Sequence, residues 1–348
     1  MVTASRVARI FALCAVCALT LSLLAAGLAS AQLVPEYYVQ SCPKLVETVN
    51  KHVDAAIKSD ARMAASLLRL QFHDCFVQGC DASILLDDDS RLPLGEKTAN
   101  PNINSVRGYE VIDVIKAELE KICPRTVSCA DIVTLASSVS IQKTGGPQMY
   151  FPLGRKDSVT ASFSKALEFL PGANLTATLL KAAFSKVGLN VKDLVTLSGG
   201  HTLGFSRCLL FSDRLYNYNG TGRADPTLEP SFLASLKQTC PQGGNGAVLK
   251  QLDTTVSKFD NQYYKELIAF KGLLTTDEAL FTQASDTKAL VQTYAKDQAK
   301  FFADFSASMI KMSLMKPTTN TEVRINCRKP NSLLLQDTEP LIELRSDI

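Results

Sequence analysis

The cysteines of this chain constrain its fold more than any other feature of the sequence. Of its 10 cysteines, two lie in an apolar N-terminal segment and the others are spread over the rest of the chain. An even number in an exported chain predicts disulfides, although sequence alone leaves about a hundred pairings of eight cysteines open. A zinc site is the weaker alternative, because these cysteines form no Cys-x-x-Cys pair and the chain has only 3 histidines. The remaining cysteines are Cys42, Cys75, Cys80, Cys123, Cys129, Cys208, Cys240 and Cys327.

The N-terminus has the pattern of a cleaved signal peptide. Arg6 and Arg9 form a positive start, and the stretch from Ile10 to Leu28 is almost wholly apolar. The small residues Ala29-Ser30-Ala31 then supply a cleavage site. A membrane anchor is the alternative, since the apolar stretch approaches the length that spans a bilayer. The small residues at the end of the apolar stretch and the downstream cysteines favour cleavage, so residues 1–31 are predicted to be removed on export.

The charge of the chain argues against a nucleic acid or an acidic membrane surface as its partner. The formal net charge is +3, and the signal segment contributes two of those positive charges. No run of Lys and Arg is dense enough for such a footprint. Two sequons, at Asn174 and Asn219, match the N-glycosylation pattern and are consistent with export.

Hydrophobic periodicity predicts a mostly helical protein. In Leu45–Ile57, for example, apolar residues that include Val46 and Val49 recur every three to four positions. Helix caps are predicted at Ser231 and at Asp286. The predicted helices are Leu45–Ile57, Met63–Phe76, Tyr109–Ile122, Ala130–Val139, Leu175–Val187, Ser231–Cys240, Asn261–Phe270, Asp286–Tyr294 and Lys296–Met312.

Convincing alternating strands are scarce, so we expect few short strands and a single mostly α domain over residues 32–331. The residues that follow, 332–348, mix apolar and acidic side chains beyond the last cysteine. Two interpretations of this tail stay open, a frayed or disordered terminus and a processed sorting signal. Stretches rich in Gly and Pro are predicted to be loops within the domain, at 92–108, 144–154, 170–174, 218–230 and 241–247.

The first chemically suggestive group surrounds His73. On a helix, Arg69, Phe72 and His73 fall at positions i, i+3 and i+4, so they project from one face. A neutral imidazole can move a proton between the two oxygens of a peroxide, and a guanidinium can stabilise the charge that develops as their bond breaks. The spacing alone is more typical of a surface arginine beside a half-buried histidine, and that alternative stays open.

The second group surrounds His201, which directly follows Gly199 and Gly200. Two glycines permit close approach of the backbone to a flat ligand, and an imidazole with an orienting acceptor can hold iron. Glycine pairs more often mean only a tight turn. The remaining histidine, His52, lies among polar residues of a helical pattern and is predicted to be a surface residue.

Longer motifs carry a family resemblance. Residues 67–86, LLRLQFHDCFVQGCDASILL, resemble the distal-haem signature of the secretory (class III) plant peroxidases, and residues 193–204, DLVTLSGGHTLG, resemble their proximal signature. The resemblance runs in the right order from about Gln32 to Asn331. It implies a two-lobed helical haem peroxidase fold with one haem b between a distal and a proximal helix. Further matching segments are 108–113, 127–132, 152–157, 259–264 and 271–273.

The resemblance implies a role for each site residue. Arg69, Phe72 and His73 match the distal arginine, aromatic residue and acid–base catalyst, and His201 matches the axial ligand of the haem iron. Three further residues match the distal hydrogen-bond acceptor, the buried acid behind the proximal ligand and the lining of the donor's approach, and these are Asn102, Asp277 and Pro171 respectively.

The resemblance also implies two calcium ions, held by hard oxygen ligands. The proximal loop is one residue shorter than is usual in the family, so which threonine binds is open. The distal ligands match as Asp74, Val77, Gly79, Asp81 and Ser83, and the proximal ligands match as Thr202, Asp253, Thr255, Lys258 (by its carbonyl) and Asp260.

The family pattern pairs the cysteines as Cys42–Cys123, Cys75–Cys80, Cys129–Cys327 and Cys208–Cys240, and it implies a buried ion pair between Asp131 and Arg155. Three departures stand out. Gln71 replaces a histidine, Met149 replaces a tryptophan, and Leu209 with Leu210 forms an apolar edge where relatives shape the donor site.

The function implied is a monomeric secreted haem peroxidase that reduces hydrogen peroxide and oxidises small phenolic donors. In the family this activity acts on lignin, suberin and other phenolics of the cell wall. It also removes peroxide and takes part in the stress response. The expected location is the cell wall, or the vacuole if the tail is a sorting signal. A non-catalytic scaffold glycoprotein is the main alternative, and it predicts loss of Arg69, His73 or His201. A hydrolase using His73 and Asp74 lacks a paired nucleophile motif.

Overall fold

The computed structural model describes residues 33–338, and over that range the protein is mostly α-helical, as predicted. The predicted signal peptide lies outside the described residues. The helices are α1 (Leu45–Ser59), α2 (Met63–Phe76), α3 (Tyr109–Ile122), α4 (Cys129–Lys143), α5 (Phe163–Phe169), α6 (Ala177–Lys186), α7 (Val191–Ser198), α8 (Ser212–Tyr216), α9 (Pro230–Thr239), α10 (Gln262–Ile268), α11 (Thr275–Thr282), α12 (Ser285–Lys296), α13 (Gln298–Ser313) and α14 (Asn331–Thr338).

Four short strands form two antiparallel pairs, each of which joins distant parts of the chain. The pairs are β1 (Asp157–Ser158) with β4 (Thr321–Glu322), and β2 (Phe205–Arg207) with β3 (Leu249–Gln251). In the described part of the chain, no helix combines the length and apolar character that crossing a bilayer requires.

The helices pack as two groups. In the first group, α2 lies against α4, and α1 packs on both α3 and α4. In the second group, α10 packs on α11 and α12, and α13 lies against α7. One apolar core runs through both groups, which supports the predicted two-lobed helical fold.

Helix α1 shows how the apolar pattern sets the packing. Leu45, Val49 and Val53 recur at four-residue spacing and are buried, because side chains at i and i+4 lie on one helix face. The prediction that Val46 belongs to this face is wrong. Its side chain is 55% exposed, since it lies a quarter turn away.

Four disulfides join the pairs that the resemblance implies, namely Cys42–Cys123, Cys75–Cys80, Cys129–Cys327 and Cys208–Cys240. The predicted ion pair is also present, with Arg155 Nη1 2.8 Å from Asp131 Oδ1 and both side chains buried. Cys129 and Asp131 both lie in the first turn of α4. The disulfide therefore joins this turn to the C-terminal part of the chain, and the ion pair joins it to the loop before β1.

The predicted tail begins within a helix. Helix α14 starts at Asn331, and Leu333 is buried. The Asn331 side chain accepts a hydrogen bond from the Ile325 backbone N–H and donates one to the Val323 carbonyl. The first residues of the tail are therefore attached to the domain, whereas residues 339–348 lie outside the described range.

Candidate active site

The distal group lies on one face of α2, where His73 is buried and Arg69 and Phe72 are half-buried. His73 Nδ1 lies 2.6 Å from Asn102 Oδ1, and the Asn102 amide nitrogen donates to the Glu96 carbonyl at 2.9 Å. Because that amide already donates through its nitrogen, its oxygen must accept, so His73 carries its proton on Nδ1. The other ring nitrogen, Nε2, is therefore left as an unprotonated base.

Arg69 is fixed by the same loop that carries Asn102. Its Nη2 donates to the Pro101 carbonyl at 2.9 Å and to Ser105 Oγ at 3.2 Å. Burial lowers the pKa of Arg69 to about 10, which still leaves it charged at neutral pH. Burial first, and the Arg69 charge second, hold the pKa of His73 well below its usual value, so a neutral base faces a permanent cation.

Phe72 completes this face of α2. Its ring centroid lies 4.0 Å from that of Phe76 and 6.3 Å from that of Phe184 on α6. These aromatic contacts limit its rotation and keep an apolar plate beside the His73 imidazole, whose ring centroid is 5.8 Å away.

The proximal group is built from α7, α10 and α11. Helix α7 begins with a capping box between Asn190 and Asp193 and runs into a 3₁₀ turn, Gly199–Thr202, that carries His201. His201 Nδ1 lies 2.8 Å from Asp277 Oδ1, and a carboxylate can only accept, so Nδ1 carries the proton. Its Nε2 is then free to bind a metal, and the imidazole is 40% exposed whereas Asp277 is buried.

Two further donors fix Asp277. The Leu274 backbone N–H donates to Oδ2 at 2.9 Å, and the Tyr263 hydroxyl donates to Oδ1 at 3.0 Å. Burial, followed by the negative charge of Asp277, raises the pKa of Tyr263 well above its usual value and keeps its hydroxyl a donor. Tyr263 belongs to the matched segment 259–264, but its sequence context predicts no role for it.

The two glycines before His201 serve different neighbours. A Cβ on Gly199 would lie 2.3 Å from the Tyr264 hydroxyl oxygen and 2.6 Å from the Phe301 ring, so Gly199 is required by core packing and not by a flat ligand. A Cβ on Gly200 would lie 3.4 Å from Leu68 of α2. The turn that carries His201 therefore lies directly against the distal helix.

These residues fit an iron porphyrin. Each imidazole has Nδ1 occupied by a protein acceptor and Nε2 free, which is the arrangement that an axial ligand and a nearby base require. The partly exposed His201 ring and the half-buried apolar face of Phe72 present surface that a flat apolar group can cover. The third histidine, His52, was predicted to be a surface residue, but its side chain is only 18% exposed and its Nε2 lies 2.6 Å from Glu118 Oε2.

The loop predicted to hold the distal calcium contains buried oxygens without partners. Among the described residues, Asp74 Oδ1, Asp81 Oδ2 and Ser83 Oγ are buried and accept no hydrogen bond. Burial raises the pKa of Asp81 to about 7, and burial with the charge of Asp81 raises that of Asp74 well above normal. Crowded buried carboxylates of this kind fit a bound cation. Gly79 needs its glycine, because a Cβ there would lie 2.3 Å from the Lys316 carbonyl oxygen.

The proximal loop brings together the residues predicted for it. Thr202 Oγ1 lies 2.8 Å from Asp253 Oδ2, 3.4 Å from Asp260 Oδ1 and 3.5 Å from the Lys258 carbonyl. Thr255 Oγ1 lies 3.1 Å from Asp260 Oδ1. These distances place all five side-chain or carbonyl oxygens around one point.

The structure also separates the two threonines of this loop. Thr254 turns away and bonds to Glu266, while Thr255 faces Asp253 and Asp260. Geometry therefore favours Thr255 as the ligand. Throughout residues 33–338, no three His, Cys, Asp or Glu side chains cluster as a metal site.

The remaining predicted positions lie at the surface. Both sequon asparagines, Asn174 and Asn219, are exposed. Leu209 is 71% exposed and Leu210 is 50% exposed, which is unusual for leucine and leaves an apolar edge beside the disulfide of Cys208. Pro171 is half-buried in the loop after α5.

The helical fold and the two imidazoles, each with its proton on Nδ1 and its Nε2 free, fit the class of haem-dependent oxidoreductases. The peroxidase family model matches residues 49–297, and the chain belongs to the peroxidase family. It is 51% identical over 304 residues to Peroxidase 49 of Arabidopsis thaliana, covering 86% of this chain and 92% of that protein. It is 48% identical over 326 residues to Peroxidase N of Armoracia rusticana, covering 92% and 95%. The predicted resemblance is confirmed, and the chain is a peroxidase enzyme.

Proposed function

We propose that this protein is a secreted haem b peroxidase that reduces hydrogen peroxide and oxidises small phenolic donors. The observation that carries the proposal is the pair of imidazoles with free Nε2 atoms, one beside Arg69 and one backed by Asp277. The non-catalytic scaffold is disfavoured, because Arg69, His73 and His201 are all present and held by hydrogen bonds.

His201 would bind the haem iron through Nε2, and Asp277 would hold its Nδ1 proton. A hydrogen bond to a carboxylate raises the basicity of the imidazole and fixes its orientation. When bound, haem b supplies the iron that takes up two oxidising equivalents from peroxide and returns them to donors one at a time. Each phenolic donor gives up one electron and one proton.

His73 moves the proton in the peroxide reaction. Its Nε2 accepts a proton from one peroxide oxygen and delivers it to the other, which leaves as water. Arg69 stabilises the negative charge that develops on the departing oxygen. Asn102 keeps the His73 proton on Nδ1, so that Nε2 is ready to accept.

Two calcium ions would support the two sides of this site. The distal ion would be held by Asp74, Asp81 and Ser83 with the carbonyls of Val77 and Gly79, and it would neutralise the crowded buried carboxylates. The proximal ion would be held by Thr202, Asp253, Thr255, Asp260 and the Lys258 carbonyl, directly beside His201.

The proposal includes location and processing. Residues 1–31 are a signal peptide, residues 32–331 form the peroxidase domain, and residues 332–348 are a tail that directs the protein to the vacuole if it is a sorting signal. The four disulfides and the exposed sequons support export. The exported protein would be a monomer that acts in the cell wall. Pro171, Leu209 and Leu210 would line the donor's approach.

The test is to purify the exported protein and measure its haem by the pyridine haemochrome assay, with guaiacol as the donor. We expect one haem per chain, a Soret band and peroxide-dependent turnover. His201→Ala should alter or abolish haem ligation, while His52→Ala should leave the spectrum unchanged. A folded wild-type protein that stayed colourless when supplied with haemin would overturn the proposal.

A further inference from the structure

One oxygen of the proximal carboxylate is shared between two donors. Asp277 Oδ1 lies 2.8 Å from His201 Nδ1 and 3.0 Å from the Tyr263 hydroxyl oxygen. The other oxygen, Oδ2, accepts from the Leu274 backbone N–H at 2.9 Å. Donors on one carboxylate oxygen compete for its negative charge, so the bond from Tyr263 weakens the pull of Asp277 on the His201 proton.

Tyr263 has no solvent alternative to this bond. It lies on α10, its side chain is buried, and its ring stands edge-on to the His201 imidazole at a centroid distance of 6.1 Å. Tyr264 packs against its other side at 5.1 Å. A buried hydroxyl without a partner is costly, so the hydrogen bond to Asp277 is retained whenever the helix is in place.

We propose that Tyr263 is a positioning residue that sets how strongly Asp277 polarises His201. Because its hydroxyl also donates to Asp277 Oδ1, the carboxylate accepts less strongly from His201 Nδ1. The His201 imidazole then donates less electron density to a metal on Nε2. The inference rests on the proposed role of His201 as the iron ligand. It concerns a residue that touches neither peroxide nor donor.

The neighbouring tyrosine offers a matched control. Tyr264 lies on the same helix and is also fully buried, but its hydroxyl donates to the backbone carbonyl of Val195 at 2.9 Å and not to Asp277. Tyr263→Phe and Tyr264→Phe each remove one buried hydroxyl and keep the ring. Both are expected to lose stability by a similar small amount, so thermal unfolding alone does not separate them.

The test measures the ferric–ferrous reduction potential and the iron–imidazole stretching band of each loaded variant. Tyr263→Phe frees Oδ1 for His201, so the band should move to higher frequency. The potential should fall, by roughly fivefold in the reduction equilibrium constant or about 40 mV. Tyr264→Phe should leave both readouts at the wild-type values. In an Asp277→Asn background the effect of Tyr263→Phe should shrink, because the charge that the two donors share is gone.

Equal shifts in the two single variants, no shift in Tyr263→Phe, or a rise in its potential would overturn the inference. These outcomes are distinct from failure of the proposed function. If the wild-type protein bound no haem, or if His201→Ala left iron ligation unchanged, the ligand assignment itself would be wrong. If haem bound through His201 and Tyr263→Phe matched Tyr264→Phe, only the role of Tyr263 would be lost.

Discussion

The distal and proximal imidazoles make the same kind of hydrogen bond to acceptors of different charge. His73 Nδ1 meets the neutral amide oxygen of Asn102, and His201 Nδ1 meets the carboxylate of Asp277. A neutral acceptor fixes the tautomer and stabilises a positive ring only weakly, whereas a carboxylate stabilises it strongly and increases the electron density on the ring. One histidine is thus suited to take up and release a proton, and the other to hold a metal.

The two loops that are proposed to bind calcium also differ. The distal loop has buried oxygens of Asp74, Asp81 and Ser83 that no protein group satisfies, while the proximal loop closes on itself through Thr202 and Thr255. Carboxylates also crowd in the proximal loop, where burial and the charges of Glu266 and Asp260 raise the pKa of Asp253 to about 7, but hydroxyl donors satisfy them in part. The distal side should therefore depend on calcium for stability more than the proximal side.

The largest effect should come from the distal imidazole. His73→Ala removes the base beside Arg69, so the rate of the peroxide reaction should fall roughly 10²- to 10⁴-fold. Stopped-flow measurement of that rate, with His52→Ala as the control, checks it. His52 lies against Glu118 outside the site, so its variant should react at the wild-type rate. If His73→Ala kept its reactivity with peroxide, His73 would not be the residue that transfers the proton.

The next effect concerns the distal loop. Asp81→Asn weakens the cation site and should lower the free energy of unfolding by roughly 3 kcal/mol in calcium. That loss corresponds to about 5–10 °C in Tm. After calcium is chelated, Asp81→Asn should instead raise the free energy of unfolding, because Asp74 and Glu96 then face one like charge fewer. Scanning calorimetry measures the change in stability with calcium and after chelation. Asp213→Asn, which replaces an exposed aspartate, is the control. A loss of the same size in both conditions would contradict a cation at this loop.

Sequence analysis predicted the distal helix better than the proximal elements. The predicted bounds of Met63–Phe76 and Tyr109–Ile122 match α2 and α3, because both have long apolar periodicity. It missed α7 and α11, which are only eight residues long and contain several Thr or Val residues. Both nevertheless begin with a hydrogen bond between residues three apart, Asn190 with Asp193 at α7 and the Leu274 N–H with Asp277 at α11, and apolar periodicity does not register such caps.

Two predicted caps were wrong for a related reason. Glu229, not Ser231, caps α9, with Pro230 as its first residue, and Asp286 lies inside the first turn of α12. The site residues came from the resemblance and not from spacing, since the partners of His73 and His201 lie 29 and 76 positions away in the chain. The role of Gly199 in packing against Tyr264 and Phe301 was equally hidden, because it depends on the arrangement of three helices.

A smaller effect should follow from making the proximal acceptor neutral like the distal one. Asp277→Asn replaces a charge-assisted hydrogen bond by a neutral one, a difference of about 1.4 kcal/mol, or roughly tenfold. The ferric–ferrous potential should therefore rise by about 59 mV. Spectroelectrochemistry measures it, and Asp213→Asn again supplies a neutral control. A potential that stayed at the wild-type value would mean that the charge of the acceptor does not distinguish the two imidazoles.

The smallest effect separates the two threonines of the proximal loop. Thr255→Ala removes the hydroxyl that bonds to Asp253 and Asp260, so unfolding stability should fall by about 1 kcal/mol and calcium should be released at a lower chelator concentration. Thr254→Ala removes the bond to Glu266 and should cost similar stability without changing calcium release. Chelator titration followed by calcium analysis distinguishes them. If Thr254→Ala were instead the variant that released calcium at a lower chelator concentration, the loop would bind calcium through Thr254. The contacts of Thr255 with Asp253 and Asp260 would then not describe the calcium-bound site.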